Sequence, residues 1–326
     1  MLRSNCISKV FVSNTTPPVP GCIGDRVPSY NTSYNTSYNT SYNTSTSPTP
    51  PHHQHLHITN TSTTPITPTL WERTLFAMVL LHDLASDHPD QFMLVRNQQE
   101  LASLLGKKAN GQKILGGLIG SEGSHALEGD LANIQRLYDA GFRMMSLQHF
   151  FDNKLGGSLH GNSGAGLSEF GRQAIREMDR LGIMIDVSHS SEQVVSDVLT
   201  LTATPLIVSH TGLQGHCPNQ RNISDELMTR IAAGGGIIGI GYWHAAVCDI
   251  SPKSIVKAIS YGIDLLGVEH ISLGSDFDGA VTTAFDAAEL AVLTHEMLKA
   301  GYSADDIRAV MGGNMVRFLQ QHLPLQ

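Results

Sequence analysis

Two short apolar segments that both end in Ser-His place the strongest constraint on the fold of this chain. They are residues 183–189 (IMIDVSH) and 205–210 (PLIVSH), and residues 191–201 between them are long enough for a crossover helix. Uninterrupted runs rich in Ile and Val are typical of strands buried on both faces of a parallel sheet. The carboxyl ends of parallel strands lie at one rim and carry the chemistry of such folds. The pattern therefore predicts that His189 and His210 lie side by side.

The same alternation extends over most of the chain. Six strand patterns, near residues 114, 142, 183, 205, 237 and 270, are separated by helical patterns such as residues 71–86, 97–105 and 168–181. This order predicts a parallel α/β fold. A (β/α)₈ TIM-type barrel needs eight strands, so the sequence predicts a barrel that lacks its first two. The third and eighth strands would then have unpaired edges.

The N-terminal part of the chain has a different composition. Residues 1–66 are rich in Ser, Thr, Asn, Pro and Tyr, and residues 29–44 repeat the tetrapeptide Ser-Tyr-Asn-Thr. Such a segment has too little apolar surface to offset the entropy that ordering would remove. We therefore expect a low-complexity disordered tail over residues 1–66 and a barrel domain over residues 67–326.

Charge and composition exclude several functional classes. The net charge is −8 and no basic patch or basic helix is visible, which argues against a nucleic-acid partner. No apolar run is long enough to span a bilayer. Lys9 interrupts the one candidate leader core, so the sequence favours a cytoplasmic protein. The four cysteines form no CxxC pair, which argues against a disulfide framework and a zinc knuckle.

Ionisable side chains follow most of the predicted strands, namely Glu122, His149, His189, His210 and Asp276. Carboxylate and imidazole ligands at one rim suit zinc, with a metal-bound water as the nucleophile for hydrolysis. Taken singly, Glu122 equally suits the first turn of a helix and Asp276 a turn. Arg221 suits either a clamp for a substrate carboxylate or a solvated surface position. The coincidence at five strand ends favours the metal site.

One nucleotide-binding motif is excluded by its position. Residues 234–239 (GGGIIG) match GxGxxG literally. A dinucleotide fingerprint follows a strand and opens a helix, whereas this segment precedes a predicted strand.

Several segments, in order along the chain, resemble the membrane dipeptidase (renal dipeptidase) family of zinc peptidases, including its bacterial members. The resemblance covers about residues 71–319. It is carried by residues 120–125 (GSEGSH), 143–149 (RMMSLQH), 185–189 (IDVSH), 208–210 (VSH), 221–222 (RN) and 274–279 (GSDFDG).

This resemblance implies a (β/α)₈ barrel that hydrolyses dipeptides with two zinc ions bridged by Glu122. His189 and His210 would complete the ligands of one zinc. His149 would bind and polarise the substrate carbonyl, Arg221 would hold the substrate carboxylate, and Asp276 would act as the acid/base. A homodimer is a further expectation.

The chain departs from the family at the first strand, which in the family ends in a His-x-Asp zinc pair. The one His-x-Asp here is His88-Pro89-Asp90, which follows a helical pattern. The N-terminal part of the barrel is thus replaced or missing, and one zinc would lose its main ligands. The alternative to an active dipeptidase is a catalytically impaired or inactive relative that binds at most one zinc. A third possibility is an amidohydrolase of cyclic amides, which would not need Arg221.

Overall fold

The computed structural model describes residues 7–13, 69–278 and 281–326. Its eight strands are β1 (Ile7–Ser13), β2 (Phe92–Leu94), β3 (Leu115–Glu122), β4 (Phe142–Ser146), β5 (Met184–Asp186), β6 (Ile207–Thr211), β7 (Ile237–Ile240) and β8 (Ile271–Leu273). They form one sheet in the order β1-β3-β4-β5-β6-β7-β8, and β2 also pairs with β3. Strands β2 to β8 are parallel, and β1 pairs with β3 in the antiparallel sense.

Helices connect these strands. They are α1 (Leu70–Asp87), α2 (Gln98–Ala109), α3 (Ala132–Asp139), α4 (Glu169–Leu181), α5 (Glu192–Leu201), α6 (Asp225–Ala233), α7 (His244–Val247), α8 (Pro252–Leu266), α9 (Ala291–Lys299), α10 (Ala304–Arg308) and α11 (Asn314–His322). Helix α4 shows why such segments are helical: Ser168 Oγ accepts a hydrogen bond from the Gly171 N–H, and Gly182 ends the helix in the left-handed conformation. Among the helices of the described ranges, none is long and apolar enough to cross a bilayer.

Both faces of the sheet are buried, as the apolar strand patterns predict. Alternate residues of a strand point to opposite faces. Leu118, Met144, Met184, Ile207 and Ile237, one from each of β3 to β7, form a core cluster with residues of α2 and α11. Their neighbours Ile119, Met145, Ile185, Val208 and Ile238 belong to the larger core cluster that contains residues of α3 to α6. The sheet is thus curled between an inner core and a layer of helices.

The predicted fold class is confirmed, with a corrected strand count. All six predicted strands are present, and β2 is an additional parallel strand. Its apolar run, residues 92–95, is bounded by Gln91 and Arg96 and is too short to be told from a loop or a helix by periodicity. The edge of β3, expected to be unpaired, pairs with β1 and β2. Within the described residues β8 pairs with β7 alone, so the sheet is an open half-barrel.

The remaining predictions concern the N-terminal tail and the GGGIIG segment. Strand β1 lies inside the segment predicted to be disordered, and the rest of residues 1–66 lies outside the described residues. Residues 234–236 link the end of α6 to β7, and residues 237–239 lie within β7. They do not open a helix, as predicted from their position.

Candidate metal centre

Three buried side chains meet at the carboxyl end of the sheet. Glu122 is the last residue of β3, His189 follows β5, and His210 lies in β6; each is less than 5% exposed. Glu122 Oε1 lies 3.1 Å from the Nε2 atoms of both His189 and His210, and those two nitrogens are 3.0 Å apart. One ligand atom from each residue lies within 4.8 Å of the others. The two Ser-His segments therefore do bring their histidines together.

The chemistry of this cluster fits a divalent metal ion. Burial lowers the pKa of His189 well below its usual value, and the charge of Arg221 acts in the same direction. His189 is therefore neutral, which is the form that binds metals. One carboxylate and two imidazoles are a ligand set that suits zinc.

A buried hydrogen-bond network fixes the tautomer of His210. Ser188 Oγ and Ser209 Oγ lie 2.6 Å from the two carboxylate oxygens of Asp186, so both hydroxyls donate their protons to it. Ser209 Oγ, 2.8 Å from His210 Nδ1, must then accept from that nitrogen. The Nε2 atom of His210 is left with its lone pair facing Glu122 and His189. Such partners orient metal-binding histidines and raise their affinity for the ion.

His149 and Asp276 flank the three-residue cluster. His149, beyond the end of β4, has its Nε2 3.5 Å from Glu122 Oε2, and its ring meets that of His189 edge-on at 4.6 Å. Asp276, beyond the end of β8, has its Oδ1 3.9 Å from His210 Nε2. Its backbone is left-handed, with φ of 57°. Strained backbone of this kind is concentrated at functional sites.

Arg221 lies beneath the site and is 5% exposed, which excludes the solvated-surface alternative. Its guanidinium donates to the backbone oxygens of Ser188 and His210 and to Thr211 Oγ1, and it lies 5.3 Å from the Trp243 ring. It forms no ion pair within the described part of the chain. Burial lowers the pKa of Arg221, although nearby acidic groups oppose that shift. A buried cation whose hydrogen-bond partners are all neutral favours the binding of an anion.

Two histidines of the site were not predicted from the sequence. His125 and His160 have buried Nε2 atoms without a hydrogen-bond partner among the described residues. Burial lowers the pKa of His125. The pKa of His160 is lowered to about 4, mainly by burial and also by the charges of Arg221 and His149. The roles of Asp186 and Ser209 were also missed. His125, Asp186 and Ser209 lie inside the matching segments, whereas His160 lies in a Gly- and Asn-rich loop without a recognisable signal.

The expectation of no disulfide is wrong for one pair of cysteines. Cys217 and Cys248 are joined, with their Cα atoms 5.6 Å apart. The bond connects the loop that carries Arg221 to the residue that follows α7. The sequence separation of 31 between the two cysteines leaves no local pattern from which the pairing follows. Cys6 and Cys22 lie outside the described residues.

The single His-x-Asp segment is not part of the site. His88 and Asp90 are exposed and lie between the end of α1 and the start of β2. They are at the amino end of that strand, whereas the metal ligands lie at the carboxyl ends of β3, β5 and β6. The second zinc pair of the family therefore has no counterpart at this position.

Comparison with known proteins agrees with the fold. The sequence model of the membrane dipeptidase family (peptidase family M19) matches residues 47–323 of this chain. The chain belongs to the membrane dipeptidase family. The cluster of Glu122, His189 and His210 is therefore placed within a family of metallopeptidases.

Two curated relatives are dipeptidases of fungi. Dipeptidase verJ of Clonostachys rogersoniana is 30% identical over 247 residues, which cover 74% of this chain and 62% of that protein. Dipeptidase aclJ of Aspergillus oryzae is 32% identical over 216 residues, which cover 62% of this chain and 50% of that protein. The alignments thus span between half and about three-fifths of the relatives' length.

Two solved structures share the fold. An amidohydrolase from Pseudomonas aeruginosa has a TM-score of 0.68 at 26% identity, covering 78% of this chain and 86% of that one. A metallopeptidase from Rhodobacter sphaeroides, solved with a phosphinate mimic of L-Ala-D-Ala, has a TM-score of 0.69 at 24% identity. That match covers 79% of this chain and 78% of that one.

Proposed function

We propose that this chain is a zinc-dependent dipeptidase. One observation carries the proposal: Arg221, a buried guanidinium that forms no ion pair with any described residue, lies next to a buried cluster of candidate metal ligands. A dipeptide fits this combination because it has a free carboxylate close to the bond to be hydrolysed. The dipeptidases among the relatives and the phosphinate-bound neighbour support the same substrate class.

Each side chain has a defined task in this proposal. Glu122, His189 and His210 hold the ion, and Ser209 keeps Nε2 of His210 available as a ligand. A bound zinc ion supplies a Lewis acid and a water of lowered pKa. Arg221 binds the terminal carboxylate through N–H donors that its backbone acceptors leave unused.

The remaining tasks are proton transfer and stabilisation of charge. His149, at the rim of the cluster, donates a hydrogen bond to the carbonyl oxygen as negative charge develops there. Asp276, whose Oδ1 lies 3.9 Å from His210 Nε2, accepts a proton from the attacking water and delivers it to the leaving amine. Asp276 thus carries the proton transfer, and His149 stabilises the developing charge.

A second candidate function is a catalytically impaired relative that binds a single zinc. It is favoured by the position of His88 and Asp90, which are exposed and remote from Glu122. Metal analysis of the purified protein separates the candidates: about two zinc ions per chain support the two-metal enzyme of the family, and one ion supports a one-metal site. Dipeptide hydrolysis by the one-metal protein would show that a single ion suffices.

The central experiment compares Ala-Ala with its C-terminal amide as substrates of the zinc-loaded protein. We expect hydrolysis of the free dipeptide, and we expect Arg221→Met to raise its KM on the order of 100-fold, since a buried charge pair is lost. Arg143→Met is the matched control, because Arg143 is also buried and donates to backbone oxygens, of Arg96, Tyr138 and Phe142.

The control should lower stability without changing KM. No turnover by folded, zinc-loaded protein would reject the dipeptidase proposal. Equal activity of Arg221→Met and the unaltered protein on a cyclic amide, with none on Ala-Ala, would favour the amidohydrolase alternative. The expected homodimer is a separate prediction, for which sedimentation of the purified protein is the measurement.

A further inference from the structure

The loop between β4 and α4 is fixed over the metal centre by its own hydrogen bonds. Asp152 Oδ1 accepts from the Ser158 N–H at 2.7 Å, and Ser158 Oγ donates to the backbone oxygen of His149. The Leu159 N–H donates to the backbone oxygen of His189 at 2.8 Å. The loop therefore presents His160 to the site in a defined position.

The imidazole of His160 is packed among site residues. Its ring centroid lies 5.0 Å from that of Phe150 and 5.5 Å from that of His189. Its Nε2 atom is buried and has no hydrogen-bond partner among the described residues. A buried polar atom of this kind destabilises the folded protein unless a ligand or an ordered water forms a hydrogen bond with it.

His160 and Arg221 are held beside the same segment of chain. Leu159, the residue before His160, bonds to His189 and also accepts from Gln220 Nε2 at 3.3 Å. Arg221, the residue after Gln220, donates to the backbone oxygen of Ser188 at 2.8 Å. The imidazole and the guanidinium thus approach the centre from neighbouring positions, and the charge of Arg221 reaches the His160 ring.

We propose that His160 is a substrate-positioning residue whose Nε2–H donates to the C-terminal carboxylate of the dipeptide, alongside Arg221. This inference rests on the proposed dipeptidase function and deepens it. Two donors on different loops would select substrates with a free carboxylate, since a carboxylate accepts several hydrogen bonds whereas an amide offers one acceptor oxygen.

Three variants test this role. His160→Phe keeps the packed ring and removes the donor, and His160→Gln restores an N–H donor close to the position of Nε2. His322→Phe is the matched control, because His322 also packs against a phenylalanine, with ring centroids 4.4 Å apart, at the end of α11. Zinc content and melting temperature are measured first, to show that each variant is folded and metal-loaded.

The principal measurement is calorimetric binding of a phosphinate analogue of Ala-Ala and of its C-terminal carboxamide. We expect His160→Phe to weaken binding of the acid about tenfold or more, as for a lost hydrogen bond to a charged group. His160→Gln should recover most of this loss, and His322→Phe should have no effect. Binding of the carboxamide should be nearly the same for all variants.

Kinetics with Ala-Ala provides the second measurement. His160→Phe should raise KM with kcat nearly unchanged. A fall in kcat at constant KM would overturn the proposal and place His160 at the reacting carbonyl. Equal weakening of acid and carboxamide, unchanged binding of the acid by His160→Phe, or no binding of the acid by the unaltered protein would also overturn it. Binding of the analogue without hydrolysis of Ala-Ala would reject the proposed function. The calorimetric comparison of the acid with the carboxamide would then still decide whether His160 binds the carboxylate.

Discussion

At the scale of single residues, the geometry of the candidate metal centre depends on groups outside the cluster of Glu122, His189 and His210. Asp186 accepts four hydrogen bonds, from the backbone N–H groups and the hydroxyls of Ser188 and Ser209. These bonds hold β5 and β6 in register at the site and direct the His210 lone pair. In the second Ser-His ending, His210 is a candidate ligand and Ser209 orients its ring. In the first, Ser188 bonds to Asp186 and to the His210 N–H, and so holds the two strand ends together.

Replacement of Ser209 by alanine tests this arrangement. We expect Ser209→Ala to lower zinc affinity about 10- to 100-fold, because His210 loses the acceptor that fixes its tautomer. Competition with a chromophoric chelator measures the change. Ser190→Ala is the control, since Ser190 is equally buried but donates to Gln148 Oε1. Similar affinities for the two variants would show that Ser209 has no role in binding the metal.

The candidate site could be predicted largely because each of its residues follows an apolar strand. Glu122, His149, His189, His210 and Asp276 all lie at the carboxyl ends of parallel strands, where chain order alone brings them to one rim. His160 could not be predicted in this way. Its position depends on side-chain bonds of Asp152 and Ser158, within a loop that has no periodic pattern.

At the scale of structural elements, the sequence on either side of a strand decided what could be predicted, since β5 and β8 have three residues, as β2 does. Strands β3 to β8 were located, since their apolar runs extend through flanking residues that are also buried. The apolar run of β2 is bounded by Gln91 and Arg96, and β1 pairs in the antiparallel sense far from its neighbours in sequence. Neither leaves a local signal that distinguishes it from a loop.

The disulfide is the element-scale feature with the clearest energetic consequence. Removing it with Cys217→Ser and Cys248→Ser should lower the free energy of unfolding by about 3–4 kcal/mol, the chain-entropy value for a loop of this length. Denaturant unfolding measures the loss, and reduced wild-type protein is the control. A free energy of unfolding that matches the oxidised protein would show that the bond does not stabilise the fold.

At the scale of the whole molecule, stability should depend on pH through its buried histidines. His125, His160 and His189 have pKa values lowered by burial. A histidine with a lower pKa when folded binds fewer protons than in the unfolded chain, so stability falls as pH drops through the unfolded pKa. For His160 this window runs from about 6.5 down to about 4.

We therefore expect the free energy of unfolding of the metal-free protein to fall between about pH 7 and about pH 4.5. Urea unfolding at a series of pH values measures this dependence. Carboxylates also protonate at the acid end of this range, so His160→Phe is measured in parallel and should show a shallower slope. Identical slopes for the two proteins would contradict the contribution of His160.

The bond between Cys217 and Cys248 also links the molecule to its chemical surroundings. Disulfides persist in oxidising environments and are rare where glutathione keeps thiols reduced. Protein produced in a reducing bacterial cytoplasm would carry free thiols at Cys217 and Cys248. Protein folded in the periplasm would carry the disulfide that joins the Arg221 loop to the end of α7. The choice of expression host thus decides which of two chemically distinct forms of the protein reaches the assay.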